Sequence, residues 1–471
     1  MNFLKKIFSP TFFILSLLSL VYIFYRSEIN WDGDRRDYYL IYYIVSLLLI
    51  FLSIITFFIN QKIKEYLIIS SISIVFTLYL LEGFLIFKDK LSRQHWLKSL
   101  PFHDQLSKDQ LLKEQRYENQ TGKKWDKRTK YEVYKDLKKK NDKIVVRVSP
   151  SEFLDKKKGN RLMPLSGISN SETIYCNENG YYSIYQSDRY GFNNPDEEWD
   201  KKEIEYLLIG DSFTHGACVN RPYDIGSVLR TLSNKSVLNL GFGGNNPLIE
   251  YATLREYLNT NVKKVIWIYF ENDLEALKKE LKYSTLKNYI DDPTFTQSLK
   301  KRQNEINTLA IKKVEEAIKY QSKKRKIIEF IKMFNSRILI SKILAPVKPF
   351  TQVSVSEPAQ ESLSLSEFKK ILQLSKDLTD KNNSKLYFVY LPTYSNFNPN
   401  YKLIYPPLSK EMKEYVINTV NELNIPSIDI SKEVFEKEQN PLKLFPFELH
   451  AHYNIEGYKK VSEAIYQFTK E

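Results

Sequence analysis

The stretch EYLLIGDSFTHGA, Glu205–Ala217, combines an apolar run with a sharp Gly-Asp-Ser turn, followed by polar and small residues. The apolar run predicts a buried strand, and Gly210 lets the chain turn at its end. One interpretation is structural: Asp211 or Ser212 caps the next helix and satisfies its free N–H groups. The other is that Ser212 is a nucleophile, because open α/β sheets place their sites at the carboxyl ends of strands.

Five apolar runs in the C-terminal half read as strands, and helix-like stretches separate them. The strand candidates are Ile204–Gly210, Ser236–Gly241, Lys264–Phe270, Lys385–Leu391 and Pro426–Ile430. This alternation predicts an α/β fold in which a five-stranded parallel sheet is covered by helices on both faces. A helical insertion at about 275–361 separates the third and fourth candidates. It either covers a site or is a peripheral decoration.

The N-terminus contains three long apolar runs, Ser9–Tyr25, Tyr38–Ile59 and Tyr66–Phe87. The last two reach the ~20 residues that a helix needs to cross a bilayer, and the first falls slightly short. No small-residue cleavage site follows the first run, which argues against a signal peptide. We therefore predict a multi-pass membrane anchor of three transmembrane helices over residues 1–87, embedded in the lipid bilayer.

The charges that flank these runs leave the topology open. Three spans place the N-terminus and the C-terminal region on opposite sides of the membrane. A literal positive-inside count would leave the C-terminal region in the cytoplasm. However, lysine is abundant throughout the chain, and the first loop also carries four acidic residues, Glu28, Asp32, Asp34 and Asp37.

Composition excludes some classes of partner. The 471 residues carry a formal charge of +14, but the lysines are spread through helix-like stretches beside Glu and Asp. Because the chain lacks an Arg-rich motif, zinc-finger spacing and an aromatic RNA-binding signature, we expect solvated helix faces and no nucleic-acid partner. A Lys-rich helical connector is predicted over 88–142. A Tyr-, Asn- and Gly-rich segment of short strands and turns, 143–202, leads into the main domain at 203–471.

Only two cysteines occur, Cys176 and Cys218, and they form no CxxC motif. This indicates neither a disulfide framework nor a structural zinc site. The two residues either form one bridge in an oxidising compartment or are small buried side chains.

Polar groups follow several of the predicted strands. The second strand ends in NLGFGGNNP, Asn239–Pro247, whose three glycines permit tight backbone with N–H groups pointing outward, as an oxyanion site requires. The third ends in FENDL, which places the neutral amide of Asn272 at the same edge. After the last strand come His450 and His452, and His452, in HYNIEGY, is the better candidate for a general base.

Taken together, these blocks resemble the SGNH (GDSL-type) hydrolase superfamily over about 203–471. The residues that carry the resemblance are Gly210, Asp211, Ser212, Gly244, Asn272, Asp273, His452, Asn454 and Gly457. The resemblance implies a three-layer, flavodoxin-like fold in which Ser212 is the nucleophile and His452 its general base. It also implies an oxyanion hole formed by the backbone N–H groups of Ser212 and Gly244 and by the side chain of Asn272.

One block departs from the family pattern. Members usually carry an Asp three residues before the histidine, where it orients the imidazole, but here that position is Leu449. Glu448 lies one residue further away. We therefore expect a dyad of Ser212 and His452, helped by Glu448 or by a main-chain carbonyl. Loss of an orienting carboxylate lowers turnover by orders of magnitude in the Ser-His-Asp template.

The membrane anchor adds to the resemblance. It is similar to SGNH proteins that accompany polysaccharide assembly and add or remove acyl groups outside the cytoplasmic membrane. The expected function is a membrane-anchored serine O-acyl esterase or O-acyltransferase, with acetyl the expected group, whose extracytoplasmic catalytic domain acts on an extracytoplasmic glycan through an acyl-Ser212 intermediate. Neither a cofactor nor a metal is expected, and a transferase would need an acyl donor, for which a separate membrane protein is the candidate. The alternative, favoured by the missing Asp, is a non-catalytic scaffold or glycan-binding subunit of a membrane polysaccharide assembly.

Overall fold

The computed structural model describes residues 2–30, 36–91, 105–154, 162–258, 261–271, 273–331, 358–401 and 407–470. The chain divides into two compact units, and the N-terminal helices belong to the first. These helices are α1 (Asn2–Phe24), which continues into a π-helical turn at Tyr25–Asn30, α2 (Arg36–Phe58) and α3 (Gln61–Leu91).

Two of the N-terminal segments, Lys5–Ile29 and Tyr39–Phe58, are long and apolar enough to cross a membrane. Helices α1 and α2 pack together, and Ser9 Oγ donates a hydrogen bond of 3.0 Å to the carbonyl of Thr56. The third predicted span, Tyr66–Phe87, lies within α3, but the side chains of 81–91 lie outside the described part of the chain. The third span therefore stays a prediction.

The second unit begins with short elements. Helices α4 (Gln105–Thr121) and α5 (Lys130–Lys138) lie in the segment 88–142. Three short strands follow within 143–202: β1 (Ile144–Val146), β2 (Glu172–Ile174) and β3 (Ile184–Gln186). They form a small sheet in the order β1-β2-β3, whose first pair is parallel and whose second is antiparallel.

The main sheet has five strands: β4 (Ile204–Gly210), β5 (Val237–Asn239), β6 (Val262–Phe270), β7 (Lys385–Leu391) and β8 (Ser427–Asp429). Their order is β5-β4-β6-β7-β8, and every neighbouring pair is parallel. The predicted five-stranded parallel sheet in an α/β fold is confirmed. Because the chain moves to one side of β4 to form β5 and to the other side to form β6, the carboxyl end of β4 is a topological switch point, where doubly wound sheets bind their ligands.

Helices cover both faces of this sheet. In chain order they are α6 (Ser212–His215), α7 (Ile225–Ser233), α8 (Pro247–Tyr257), α9 (Asp273–Glu280), α10 (Ser284–Asp291), α11 (Gln303–Ile331), α12 (Pro358–Lys381), α13 (Lys410–Glu422), α14 (Ile430–Glu433) and α15 (Ile455–Thr469). Successive side chains of β4 alternate between two apolar cores, with Leu207 and Ile209 in the first and Tyr206 and Leu208 in the second. Two buried faces explain why the strands read as continuous apolar runs.

The described part of the insertion at about 275–361 packs on the first core and near β1. Leu286 of α10 and Ile306 of α11 belong to the first core. One and two turns further along α11, Ala310 and Val314 pack with Val146. Residues 332–357 lie outside the described chain, so whether the insertion covers a site stays open.

Candidate active site

The turn after β4 is built around Gly210 and Asp211. Gly210 has φ +152°, and a Cβ at this position would lie 2.4 Å from the carbonyl oxygen of Ile268, so only glycine fits. Asp211 caps α6, because its Oδ1 accepts a hydrogen bond of 2.8 Å from the N–H of Phe213. The cap is thus the aspartate, which leaves the hydroxyl of Ser212 available for other contacts.

The structure brings Ser212 and His452 together. Nε2 of His452 lies 2.9 Å from Oγ of Ser212, within the range for proton transfer to a general base. The same hydroxyl lies 3.1 Å from Oδ2 of Asp211. Ser212 follows β4, and His452 comes from the loop before α15, so two distant parts of the chain meet at the carboxyl edge of the sheet.

The carboxylate beside His452 belongs to Glu178. Its two oxygens lie 3.0 and 3.1 Å from Nδ1 of His452, and Oε2 also accepts the backbone N–H of His452 at 2.9 Å. Burial opposes ionisation of Glu178, but the imidazole charge, its hydrogen bond and Lys113 lower the pKa of Glu178 to about 2. Burial also opposes protonation of His452, yet the neighbouring Glu178 raises the pKa of the ring above its ordinary value. Both shifts favour an ionised carboxylate that orients the imidazole.

The prediction that Glu448 assists His452 is wrong. The Glu448 carboxylate instead accepts a hydrogen bond from Nδ2 of Asn440 at 3.4 Å, and the Glu448 carbonyl accepts one from the hydroxyl of Tyr394 at 3.0 Å. Sequence reasoning missed Glu178 because this residue lies in 143–202, before the region that carries the family resemblance. The available signal was Cys176, two residues earlier, whose partner follows the serine motif.

Cys176 and Cys218 form a disulfide bond, with Cα atoms 5.0 Å apart. Nδ2 of Asn179 also donates to the carbonyl of Cys218 at 2.9 Å. The loop that carries Glu178 is therefore fixed, covalently and by a hydrogen bond, to the chain just after α6. The Cys218 sulfur lies within 4.8 Å of ligand atoms of Glu178 and His452, but as half of a disulfide it is not a thiolate ligand.

Of the predicted oxyanion donors, the structure describes Ser212 and Gly244 but not Asn272. The loop after β5 runs beside the serine turn: the N–H of Phe242 donates to the carbonyl of Gly210 at 3.1 Å, and Gly244 follows with φ +89°. Asn272 lies outside the described residues. Its two neighbours are fixed, because Asp273 Oδ2 accepts the N–H of Phe270 at 2.8 Å and the Glu271 carboxylate accepts the Tyr390 hydroxyl at 2.9 Å. The oxyanion roles of Ser212, Gly244 and Asn272 stay predictions.

The other two described histidines occupy different surroundings. His215 is fully buried among the rings of Tyr175, Tyr185 and Phe242, and burial lowers its pKa to about 3. The ring of His450 stacks on Tyr401, and burial lowers its pKa to about 4. Neither ring makes a described contact with Ser212, so the geometry favours His452 over His450 as the base.

Helix α4 holds the loop that carries the base. Nζ of Lys113 donates to the His450 carbonyl at 2.7 Å, and Arg116 donates to the carbonyl of Phe447. The ring of Phe447 packs against Tyr117 and Trp125, at centroid distances of 6.2 and 5.9 Å. Two consecutive residues of the loop, Phe447 and Glu448, have positive φ angles of 57° and 55°. For residues other than glycine this conformation is strained and needs surrounding contacts to hold it.

Comparisons with known proteins add a likeness of fold. No protein-family model matches the chain, and no curated protein matches it. Among solved structures, the chain is similar to a candidate lipolytic protein of the G-D-S-L family from Desulfitobacterium hafniense DCB-2. The identity is 14%, the match covers 56% of this chain and 99% of the other, and the TM-score is 0.30. At these values the likeness carries no inference about function, which rests on the geometry of the site.

Proposed function

We propose that this chain is a membrane-anchored serine O-acyl esterase or O-acyltransferase of the SGNH type. It acts on an extracytoplasmic glycan through an acyl-Ser212 intermediate, with acetyl as the expected group. The observation that carries this proposal is the chain of hydrogen bonds from Ser212 through His452 to Glu178 at the switch point of the sheet. A serine, an imidazole and a carboxylate in that order are the arrangement that activates a hydroxyl for attack on an acyl carbon.

Each residue has a distinct task in the first half-reaction. Glu178 keeps a proton on Nδ1 of His452, so Nε2 accepts the proton of the Ser212 hydroxyl as Oγ bonds to the acyl carbon. The carbonyl oxygen becomes an oxyanion, for which the N–H of Gly244 and the amide of Asn272 are the proposed donors. The C–O bond to the leaving alcohol then breaks, and that oxygen takes the proton from His452.

The second half-reaction decides between the two activities. Water or a sugar hydroxyl gives its proton to His452 and attacks the acyl carbon, and Ser212 leaves with that proton. Water gives an esterase, and a sugar hydroxyl gives a transferase. In the transferase case we propose that a separate membrane protein supplies the acyl donor.

The disulfide supports an extracytoplasmic location for this domain. Disulfides persist in oxidising compartments and are rare in the cytosol. The Cys176–Cys218 bridge lies beside Glu178, so the proposed site is fully assembled only where the bridge is stable. A C-terminal alkaline phosphatase fusion should therefore be active, and a green fluorescent protein fusion should be dark. The reverse pattern would place the domain in the cytoplasm.

Glu178 also bears on the scaffold alternative. That alternative drew its support from the missing Asp before His452, and Glu178 provides a carboxylate at the same nitrogen.

Labelling of the full chain with a fluorophosphonate tests the proposal directly. The wild-type protein in detergent should be labelled at Ser212, and Ser212→Ala should not be labelled. Ser233→Ala, which removes a hydroxyl that donates to the carbonyl of Leu229 on α7, is the matched control and should be labelled like the wild type. If the wild type resists labelling, and if wild type and Ser212→Ala support glycan acylation equally in cells, the enzyme proposal fails and the scaffold is favoured.

A further inference from the structure

Arg147 lies against the glycine loop beside the serine turn. It comes directly after β1, and its Nη1 donates a hydrogen bond of 2.6 Å to the carbonyl of Gly243. Its guanidinium carbon lies 4.3 Å from the ring centroid of Tyr175. Tyr175 in turn contacts the buried ring of His215 on α6, at 4.7 Å between centroids. These contacts place a positive charge at the edge of the proposed acyl site.

The charge of Arg147 has no acidic partner among the described residues. The hydrogen bond from its Nη1 goes to a neutral carbonyl, and its Nε is buried without any hydrogen-bond acceptor in the described part of the chain. Leaving a buried donor of a charged group unsatisfied costs free energy, and a carboxylate or phosphate is the group that a guanidinium binds best. The guanidinium of Arg147 therefore keeps a hydrogen-bond donor that no described group satisfies.

Further polar groups surround the same loop. A Cβ added at Gly244 would lie 2.9 Å from Oγ of Ser151 and 3.3 Å from Oγ of Ser149, and one at Gly243 would lie 2.2 Å from the Tyr175 hydroxyl. Hydroxyl groups thus lie close against both glycines.

An acidic side chain close to these serines is engaged with the backbone. The Glu152 carboxylate accepts the backbone N–H of Ser149, at 2.9 Å. The region near Gly243 and Gly244 therefore combines the positive charge of Arg147 with hydroxyl donors.

We propose that Arg147, with the hydroxyl groups beside Gly243 and Gly244, forms a subsite for an anionic substituent of the substrate, a carboxylate or a phosphate on the glycan, next to the acyl group at Ser212. This inference rests on the proposed function for the identity of the substrate, and it makes that substrate an acidic glycan. Arg147 is a specificity-determining residue in this assignment: it holds the anion while His452 and Ser212 perform the acyl transfer.

A pair of esters of similar size, one anionic and one neutral, tests the subsite during turnover. The full chain in detergent is assayed with 4-acetoxybenzoate and with the neutral 4-acetoxybenzamide. We expect kcat/KM of the wild type to favour the anionic ester by about 10- to 100-fold, the effect of one charge-assisted interaction. Arg147→Gln should abolish the preference, and Arg147→Lys should keep part of it. Arg302→Gln, which removes a surface cation paired with Glu305, should behave like the wild type.

Binding without turnover separates this inference from the proposed function. In Ser212→Ala protein at matched ionic strength, D-glucuronate or glucose 6-phosphate should raise the thermal midpoint more than methyl glucoside does, and Arg147→Gln should remove the difference. Comparing the first two probes distinguishes a carboxylate site from a phosphate site. If neither anion raises the midpoint, or if Arg147→Gln lowers kcat/KM of both esters equally, the subsite is wrong and Arg147 only supports the loop. If the anions bind but the wild type is not labelled at Ser212, the subsite stands and the acyl-enzyme proposal fails.

Discussion

Glu178 and His452 lie 274 residues apart in the chain, yet the carboxylate of one lies 3.0 Å from Nδ1 of the other. Glu178→Gln should lower kcat by about 10³- to 10⁴-fold, because an amide donor at Nδ1 favours the tautomer whose Nε2 cannot accept the serine proton. Hydrolysis of 4-nitrophenyl acetate by the full chain measures this. Glu448→Gln is the matched control and should retain activity. If Glu448→Gln loses more activity than Glu178→Gln, the orienting residue is Glu448 instead.

The pH profile should report the same pair. The neutral form of His452 is the base, and Glu178 raises its pKa above the ordinary 6.5 despite burial. We expect kcat/KM to fall as the pH drops through that raised pKa. In Glu178→Gln, burial still disfavours the charged ring and the partner is gone, so the acid limb should move to lower pH. An unmoved limb would mean that another group governs it.

The pair should also affect stability in a defined pH window. The stabilisation from the raised pKa of His452 is fully present below 6.5 and is lost as the pH rises through the raised value. The stabilisation from Glu178 is present above its ordinary pKa of 4.5 and is lost as the pH falls toward about 2. The wild type should therefore exceed Glu178→Gln in free energy of unfolding by the largest amount between pH 4.5 and pH 6.5. Denaturant melts of the full chain across this range measure it, and a difference independent of pH would contradict the ion pair.

Helix α4 should control the position of the base. Arg116 donates to the Phe447 carbonyl, within two consecutive left-handed residues that each cost on the order of 1 kcal/mol. Arg116→Ala should let this loop relax, lower kcat by roughly 10-fold, and speed amide hydrogen exchange over 446–452. Lys123→Ala, at an exposed position just after α4, is the control. Equal exchange and equal kcat in the two variants would show that α4 does not hold the loop.

The sequence predicted the main sheet well because its strands are buried on both faces. The predicted bounds of β4 and β7 agree with the structure, and the edge strands β5 and β8 are shorter than predicted. Ser212 directly follows β4, and His452 comes from the loop between β8 and α15, so the parallel topology predicts both near the carboxyl edge of the sheet. Glu178 comes from a loop outside the sheet, and no local pattern shows where that loop docks. Its position depends on the pairing of Cys176 with Cys218, which the residues alone left undecided.

The disulfide should act as a positioning device for Glu178. The bridge joins the chain two residues before Glu178 to the segment after α6, so breaking it should loosen the contact between Glu178 and His452 while Ser212 keeps its place. Replacing both cysteines by serine should lower kcat, and the acid limb of the pH profile should move in the direction expected for Glu178→Gln. Adding Glu178→Gln to the double-serine variant should lower kcat by a much smaller factor than the same substitution does in the wild type. The effects of residues that act through one another are not additive. Dithiothreitol should likewise inhibit the wild type and spare Glu178→Gln. If reduction lowers the activity of the wild type and of Glu178→Gln by the same factor, and also lowers the thermal midpoint sharply, the bridge only stabilises the fold.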